Sequence, residues 1–200
     1  MLKYTKIILE LLHFKTPQDR SDLLTEIFRS KFEQLKDDVI NKRVLGKVKS
    51  YMYVTKFQKR GLPHVHILLV LDSNDKLCDP EKYDGVVRAE IPNLECEPHL
   101  HEAILKHMIH GPCSTLNHKS PCVKDGHCKK RYSKERRFHE PISINRNKSV
   151  DNRWVVLYNA WLLLKYDCHI NVEVCSSIKS IKYLYKYVYK NLERVKLMYG

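Results

Sequence analysis

The chain has 200 residues, 43% of them hydrophobic, which is enough for one core, or for one core and a small appendage. Its 36 Lys and Arg residues outnumber 23 Asp and Glu residues, which gives a formal net charge of +13. Such a surplus indicates a polyanion partner, most often nucleic acid, with a merely soluble basic protein as the alternative. The apolar runs are too short to cross a bilayer, and we expect no secretory leader.

Seven cysteines occur in the chain. Because we expect no export signal, this number indicates reduced thiols or metal ligands rather than disulfides.

The periodicity of apolar residues predicts the main elements in chain order. Residues 16 to 41 carry Leu24, Phe28, Phe32 and Val39 at helical spacing and predict a scaffold helix. Residues 47–58 and 64–71 predict two paired strands, and a polar stretch with Asp-Pro and Asp-Gly breaks follows as far as residue 85. Residues 98 to 110 predict a short amphipathic helix.

His64 and His66 begin the second predicted strand, directly after a Gly-Leu-Pro turn. Side chains alternate across a strand, so the two imidazoles share one face and can converge on one cation. If residues 59–63 form the loop, Gln58 lies roughly opposite His64 and can supply a third ligand. The alternative is a pair of surface histidines on an edge strand, and this segment alone favours that alternative.

Residues 110 to 139 contain few large apolar side chains, so something other than packing must order them. The spacings His110-x2-Cys113 and Cys122-x5-Cys128 supply four soft ligands in two local pairs, as a tetrahedral structural zinc needs. The second spacing is wide, so His118 or His127 is an alternative ligand. A basic surface loop with incidental thiols is the competing interpretation.

Residues 176 to 196 predict a helix. Its buried stripe contains Ile178, Ile181, Tyr185, Val188 and Leu192, and Tyr189 lies at the margin of that stripe. Tyr183 and Tyr187 project from nearly the opposite side, and a ridge of lysines lies between the two faces: Lys179, Lys182, Lys186 and Lys190. The exposed tyrosines are as consistent with stacking on a surface or on bases as with catalysis.

Five runs stand in a distinctive order: Phe57-Gln-Lys-Arg-Gly-Leu-Pro-His-Val-His-Ile-Leu-Leu69, Met108-Ile-His-Gly-Pro-Cys113, Asp151-Asn-Arg-Trp-Val-Val156, His169-Ile-Asn-Val-Glu-Val-Cys175 and Ile181-Lys-Tyr-Leu-Tyr-Lys-Tyr-Val-Tyr-Lys190. Together they resemble the Rep-type (HUH) nuclease domain of Helitron transposases, the Helitron helicase-like N-terminal domain family, over residues 19 to 190. The resemblance implies an α+β fold: an antiparallel sheet of the ferredoxin-like palm type, with the histidines on a central strand, flanking helices and a Cys/His-rich zinc-binding insert.

The resemblance also implies a function, that of a rolling-circle transposase whose nuclease domain precedes a helicase. His64, His66 and Gln58 would bind Mg or Mn, and Tyr183 and Tyr187 would attack single-stranded DNA to form a 5′-phosphotyrosine. Several basic residues would bind phosphates: Lys59, Arg60, the four ridge lysines and those within residues 129–137. Tyr51, Tyr53 and Trp154 would stack on bases or fill the core, with the core favoured for Trp154. We expect a nuclear protein, or a cytoplasmic one before import, that is not secreted.

Three segments describe the predicted organisation: residues 1–97 with the first helix and the histidine hairpin, the insert at 98–140, and residues 141–200 with a strand and the tyrosine helix. The opening Met1-Leu-Lys-Tyr lacks the family's usual first apolar strand, and Lys56 stands where the family commonly has an acidic residue. The chain also has no room for the helicase, so we expect a fragment. A catalytically inactive or domesticated DNA-binding remnant is the alternative, and a zinc-ordered protein-interaction module is a third interpretation.

Overall fold

A computed structural model of the chain describes residues 21–57, 62–76, 80–111, 113, 117, 119–130, 143–145, 148–174 and 196–199. In chain order the elements are α1 (Ser21–Lys36), β1 (Val48–Phe57), β2 (Pro63–Leu71), α2 (Pro80–Val86), α3 (Pro98–His107), β3 (Val123–Lys124), β4 (His127–Cys128), β5 (Ser143–Asn145), β6 (Lys148–Val150), α4 (Ala160–Tyr166) and β7 (Lys196–Tyr199). A π-helical turn, Asp37–Asn41, continues α1, and short 3-10 turns cover Ser73–Asp75 and Asn152–Trp154.

The chain divides into two compact units. The hairpin unit comprises Leu2–Cys78 with Cys175–Gly200, and the Cys/His unit comprises Asp79–Val174. This division reflects spatial contacts, whereas the three segments predicted above are stretches of sequence, and they remain a prediction.

In the hairpin unit, β1 lies between β2 and β7 in an antiparallel sheet. Val54 of β1 is almost fully buried, and Tyr53 meets Phe32 of α1 edge to face with ring centroids 4.8 Å apart. The helix and the two strands predicted for residues 21–71 are therefore confirmed within the described residues. The part of the predicted helix that precedes Ser21 lies outside them.

An ion pair between Lys42 and Asp38 stabilises the turn after α1. Asp38 is fully buried, and its carboxylate accepts a hydrogen bond of 2.9 Å from Lys42 Nζ. The chain then reverses through Arg43 (φ 56°) and Gly46 (φ 106°), both in the left-handed region. A glycine is required at position 46 because that φ is unfavourable for other residues.

The Cys/His unit packs α3 and α4 around one apolar cluster. Leu100, Ile104 and Met108 of the α3 segment are buried against Tyr158 and Leu163. This confirms the amphipathic helix predicted for residues 98–110, which ends at His107. The hydroxyl of Tyr158 donates to the carbonyl oxygen of Glu90, and burial raises the pKa of this tyrosine, so it has a structural role.

One sequence expectation needs correction, and a second lies almost wholly outside the described residues. The stretch predicted as polar breaks contains α2, because Pro80 suits a first helical turn, where its missing N–H leaves no hydrogen bond unmade. The helix predicted for residues 176–196 lies outside the described residues except for Lys196, which belongs to β7. None of the helices in the described ranges is both long enough and apolar enough to span a bilayer.

Ile104 gives a direct test of this core. Its side chain is fully buried, so Ile104→Ala is expected to lower the free energy of unfolding by about 2–5 kcal/mol, through lost apolar burial and a residual cavity. Urea unfolding followed by tryptophan fluorescence measures this, since both tryptophans, Trp154 and Trp161, belong to this unit. Leu94→Ala, at a side chain 58% exposed, is the control and should change stability by less than about 0.5 kcal/mol.

Candidate functional site

Four side chains of the Cys/His unit converge on one point. The ligand atoms of His110, Cys113, Cys122 and Cys128 all lie within 4.8 Å of one another. Nε2 of His110 is 3.5 Å from each of the three sulfur atoms. The sequence predicted these four residues as one ligand set, and the structure brings them together.

These distances are those of a tetrahedral metal site. With metal–sulfur and metal–nitrogen bonds of about 2.3 and 2.05 Å, a tetrahedron separates nitrogen from sulfur by roughly 3.6 Å. The observed separations of 3.5 Å match this geometry. Neutral thiol and imidazole groups have no strong mutual attraction that would otherwise gather all four, so this cluster can hold a metal ion.

The end of α3 positions the first two ligands. The backbone N–H of His110 donates to the carbonyl oxygen of Trp154, and that of Val156 donates to Met108, each at 2.8 Å. Met108 itself is fully buried in the core. The short segment from Met108 to Cys113 therefore begins at a rigid anchor, and Cys113 is buried to 1% exposure.

A small hairpin positions the other two ligands. Strands β3 and β4 pair Val123 with Cys128, and the N–H of Lys129 donates to the carbonyl oxygen of Cys122 at 2.9 Å. Asp125 and Gly126 both have positive φ, as a tight two-residue hairpin turn requires. Sequence reasoning missed this hairpin, although the Asp-Gly pair is a strong signal for such a turn. Because the hairpin folds back on itself, Cys122 and Cys128 are close in space despite the five residues between them.

Burial controls the protonation of this cluster in the metal-free protein. It raises the pKa of the Cys113 thiol to about 12, with hydrogen bonds to Cys128 and Cys122 contributing. It also lowers the pKa of His110, helped by the charge of Lys130. The imidazole is thus held neutral and available as a ligand, whereas the thiol needs a cation to become a thiolate.

The structure describes only one of the two histidines predicted as alternative zinc ligands. His127 is exposed and is not in the cluster, while His118 lies outside the described residues. No second group of three or more potential ligands occurs among the residues whose placement is described.

His64 and His66 lie side by side on β2, with ring centroids 5.1 Å apart and ring planes at 76°. They share a face of the strand, as predicted. Nδ1 of His64 is buried and has no hydrogen-bond partner. Burial lowers the pKa of both histidines, and the charge of Lys56 lowers it further, so both rings are neutral near pH 7. Neutral imidazoles are suitable ligands for a divalent cation, and His64 has an unused ring nitrogen.

The strand register corrects one prediction about this pair. Lys56, rather than Gln58, lies directly opposite His64, and Val54 lies opposite His66. The last pair of the hairpin joins Phe57 to Pro63, so the paired part of β1 ends one residue earlier than a loop at residues 59–63 would require. Gln58 itself lies outside the described residues, and its role as a ligand stays a prediction.

The expected central position of the histidine strand is not found in the described sheet. There β2 pairs with β1 alone and forms an edge of the order β2-β1-β7. The palm-type fold therefore remains an expectation, and the described architecture is a mixture of helices and small antiparallel sheets.

The remaining predicted functional residues lie outside the described residues. They are both candidate nucleophiles and most of the basic set: Tyr183, Tyr187, Lys59, Arg60, Lys179, Lys182, Lys186 and Lys190. Of the basic stretch at 129–137, Lys129 and Lys130 are described and exposed. Tyr51, Tyr53 and Trp154 are each half-buried.

One comparison with known proteins gives a match. Residues 4–69 match the family model of the Helitron helicase-like domain at the N-terminus. The match covers β1 and most of β2, with both histidines, and confirms the family resemblance over about a third of the chain. A search of curated proteins finds no match.

Proposed function

We propose that this chain is a Helitron-type endonuclease domain that cleaves and rejoins single-stranded DNA through a 5′-phosphotyrosine. The observation that carries the proposal is the pair of adjacent imidazoles at His64 and His66, with an unpartnered ring nitrogen on His64, inside the segment that matches the family. The net charge of +13 supports a DNA partner. A nuclear location follows from this proposal.

His64, His66 and Gln58 would hold a divalent cation, Mg or Mn. Such a cation supplies charge that polarises a non-bridging phosphate oxygen and stabilises the negative charge of the transition state. The two rings lie on one face of β2 with centroids 5.1 Å apart, and this proximity supports a cation shared between them. Basic side chains would hold the flanking phosphates, and an unpaired strand would bring its backbone close to the site more easily than a duplex.

The proposed nucleophile is the hydroxyl of Tyr183 or Tyr187. Its oxygen forms a bond to phosphorus while the bond from phosphorus to the 3′ oxygen breaks. The phenolic proton leaves, and a proton reaches the departing 3′ oxygen. An unperturbed tyrosine has a pKa of about 10, so neighbouring positive charge would be needed to favour the phenolate. A second tyrosine permits a second transfer without release of the first DNA end.

For the Cys/His cluster we propose a structural zinc ion. Three thiolates and one imidazole in a closed tetrahedron leave no open position for substrate, as in structural rather than catalytic sites. The surrounding segment lacks large apolar residues, so metal binding would supply the free energy that orders it.

A second candidate function is a DNA-binding remnant without catalysis. The specific observation that favours it is Lys56, which lies directly opposite His64 and whose charge lowers the pKa of both histidines. A protein-interaction module is a third candidate, and it predicts weak DNA binding despite the charge.

An adduct assay tests the proposal. The zinc-loaded protein is incubated with 5′- or 3′-labelled single-stranded DNA, with and without Mn, and is separated on a denaturing gel. An active domain is expected to retain label at protein mass only when the label lies 3′ of the cleavage site, and only with Mn. Salt-sensitive binding without an adduct would instead support the remnant, and weak binding would support the interaction module.

A further inference from the structure

Lys56 lies on the same face of the hairpin as the two histidines and directly opposite the first of them. We infer that Lys56, His64 and His66 form a binding site for a DNA phosphodiester, and that Lys56 weakens cation binding until that phosphate is present. This inference rests on the proposed function for its choice of ligand. It assigns to Lys56 a role in binding substrate.

The geometry gives the lysine access to both rings. In an antiparallel pair, directly opposite residues have Cβ atoms about 4.5–5.5 Å apart, and diagonal neighbours about 7–8 Å apart. Lys56 is opposite His64 and diagonal to His66, which pairs with Val54 two residues earlier on β1. A lysine side chain is long enough to bring its ammonium group to either distance.

A fixed ammonium group affects a cation and an anion in opposite ways. A divalent cation at the imidazole nitrogens is repelled by the lysine, and the repulsion is strong because the pair is half-buried and poorly screened. A phosphate oxygen is attracted to the same lysine. Two neutral imidazoles can add N–H donors, since each ring carries one proton.

His64 contributes a second argument. Its Nδ1 is buried without a partner, so in the tautomer that is protonated there Nδ1 can donate to a phosphate oxygen without breaking another hydrogen bond, while Nε2 keeps its lone pair for the cation. Leaving a buried polar atom unpaired is unfavourable, because the atom has lost its hydrogen bonds to water and gained none in return. A ligand that pairs with this atom removes that penalty.

Binding of phosphate and cation is therefore coupled. The phosphate offsets the lysine charge and raises the affinity for the cation, and by linkage the cation raises the affinity for phosphate by the same factor. A site of this kind would bind its metal only together with DNA.

Two binding measurements on zinc-loaded protein test the inference, and neither depends on cleavage. In the first, Mn²⁺ binding without DNA is followed by electron paramagnetic resonance. Lys56→Gln is expected to bind Mn²⁺ at least tenfold more tightly than the wild type. In the second, a fluorescent octathymidylate is titrated without Mn²⁺, and Lys56→Gln is expected to bind it about tenfold more weakly.

Two further variants separate this role from a general charge effect. Lys49→Gln removes an exposed charge from the other end of β1, about 23 Å away along the strand, and should change either affinity less than twofold. Lys56→Arg keeps the charge and should behave like the wild type. Circular dichroism and melting temperature check that each variant folds.

The outcomes are distinguishable. Unchanged Mn²⁺ affinity in Lys56→Gln overturns the inference, and a DNA adduct formed by the wild type would still support the nuclease. The expected changes without any adduct would support the phosphate site and contradict strand transfer. An equal loss of DNA affinity in Lys49→Gln and Lys56→Gln would show that Lys56 contributes only through the general positive charge of the protein. That result would also overturn the inference.

Discussion

Cys128→Ser is expected to abolish stoichiometric metal binding and to unfold the β3–β4 hairpin. Cys128 is buried to 6% exposure, and its sulfur lies 3.5 Å from Nε2 of His110. A serine hydroxyl is a poor ligand for a soft site, so the affinity for zinc should fall by at least about a hundredfold. Structural zinc sites in small peptides have apparent binding free energies of about 10–16 kcal/mol. This range is an upper limit on the free energy of unfolding that the substitution can remove.

Metal content and cobalt substitution measure this effect. The wild type should contain one zinc per chain and, with Co²⁺, show the intense visible absorption of a tetrahedral thiolate site. Cys96→Ser is the matched control, because Cys96 is exposed and lies outside the cluster. A Cys128→Ser protein that keeps one tightly bound zinc and the wild-type melting temperature would contradict the assignment of this ligand.

The Cys/His cluster was predictable because the spacing of its residues in the sequence determines much of its geometry. His110 and Cys113 are close in sequence, and the composition of the segment around them excludes an apolar core. The contribution of the rest of the fold was not predictable. The anchor at Met108 depends on hydrogen bonds to residues 154 and 156, which pair with it only after the chain has returned through more than forty residues.

The histidine hairpin shows where sequence reasoning reaches its limit. Alternation in β2 predicted that His64 and His66 share a face, since that property depends only on the strand period. The residue opposite His64 depends on the position of the turn, and a shift of two positions keeps the same face while replacing Gln58 by Lys56. The pattern of apolar residues cannot detect such a shift, yet it changes the neighbour of His64 from a neutral amide to a cation.

The length of a helix decides whether its apolar period can be recognised in the sequence. Helix α1 was predicted because its apolar stripe is long and regular. Helices α2 and α4 have seven residues each, which is too short for a clear helical period, and α4 depends on the cap in which Asn159 accepts a hydrogen bond from Leu162 N–H. Short elements that depend on tertiary packing are the ones that a pattern in the sequence does not reveal.

Replacing both Tyr183 and Tyr187 by phenylalanine is expected to abolish the covalent DNA adduct, with a loss of at least about a thousandfold in its rate of formation. Phenylalanine keeps the ring and its stacking surface but lacks the oxygen that attacks phosphorus. DNA affinity should therefore change little, which separates a chemical role from base stacking. Quantification of adduct on denaturing gels, together with anisotropy titrations, measures both quantities.

The single variants divide the two roles further. If the tyrosines act in succession, Tyr183→Phe or Tyr187→Phe alone should still form one adduct but should lose the second strand transfer. The matched control is Tyr185→Phe with Tyr189→Phe, which removes the same two hydroxyl groups from the segment at positions predicted to pack. The helical period places the two pairs of tyrosines on different faces. Equal loss of adduct in both double variants would therefore contradict the assignment. Full activity of the Tyr183→Phe, Tyr187→Phe double variant would show that another residue is the nucleophile.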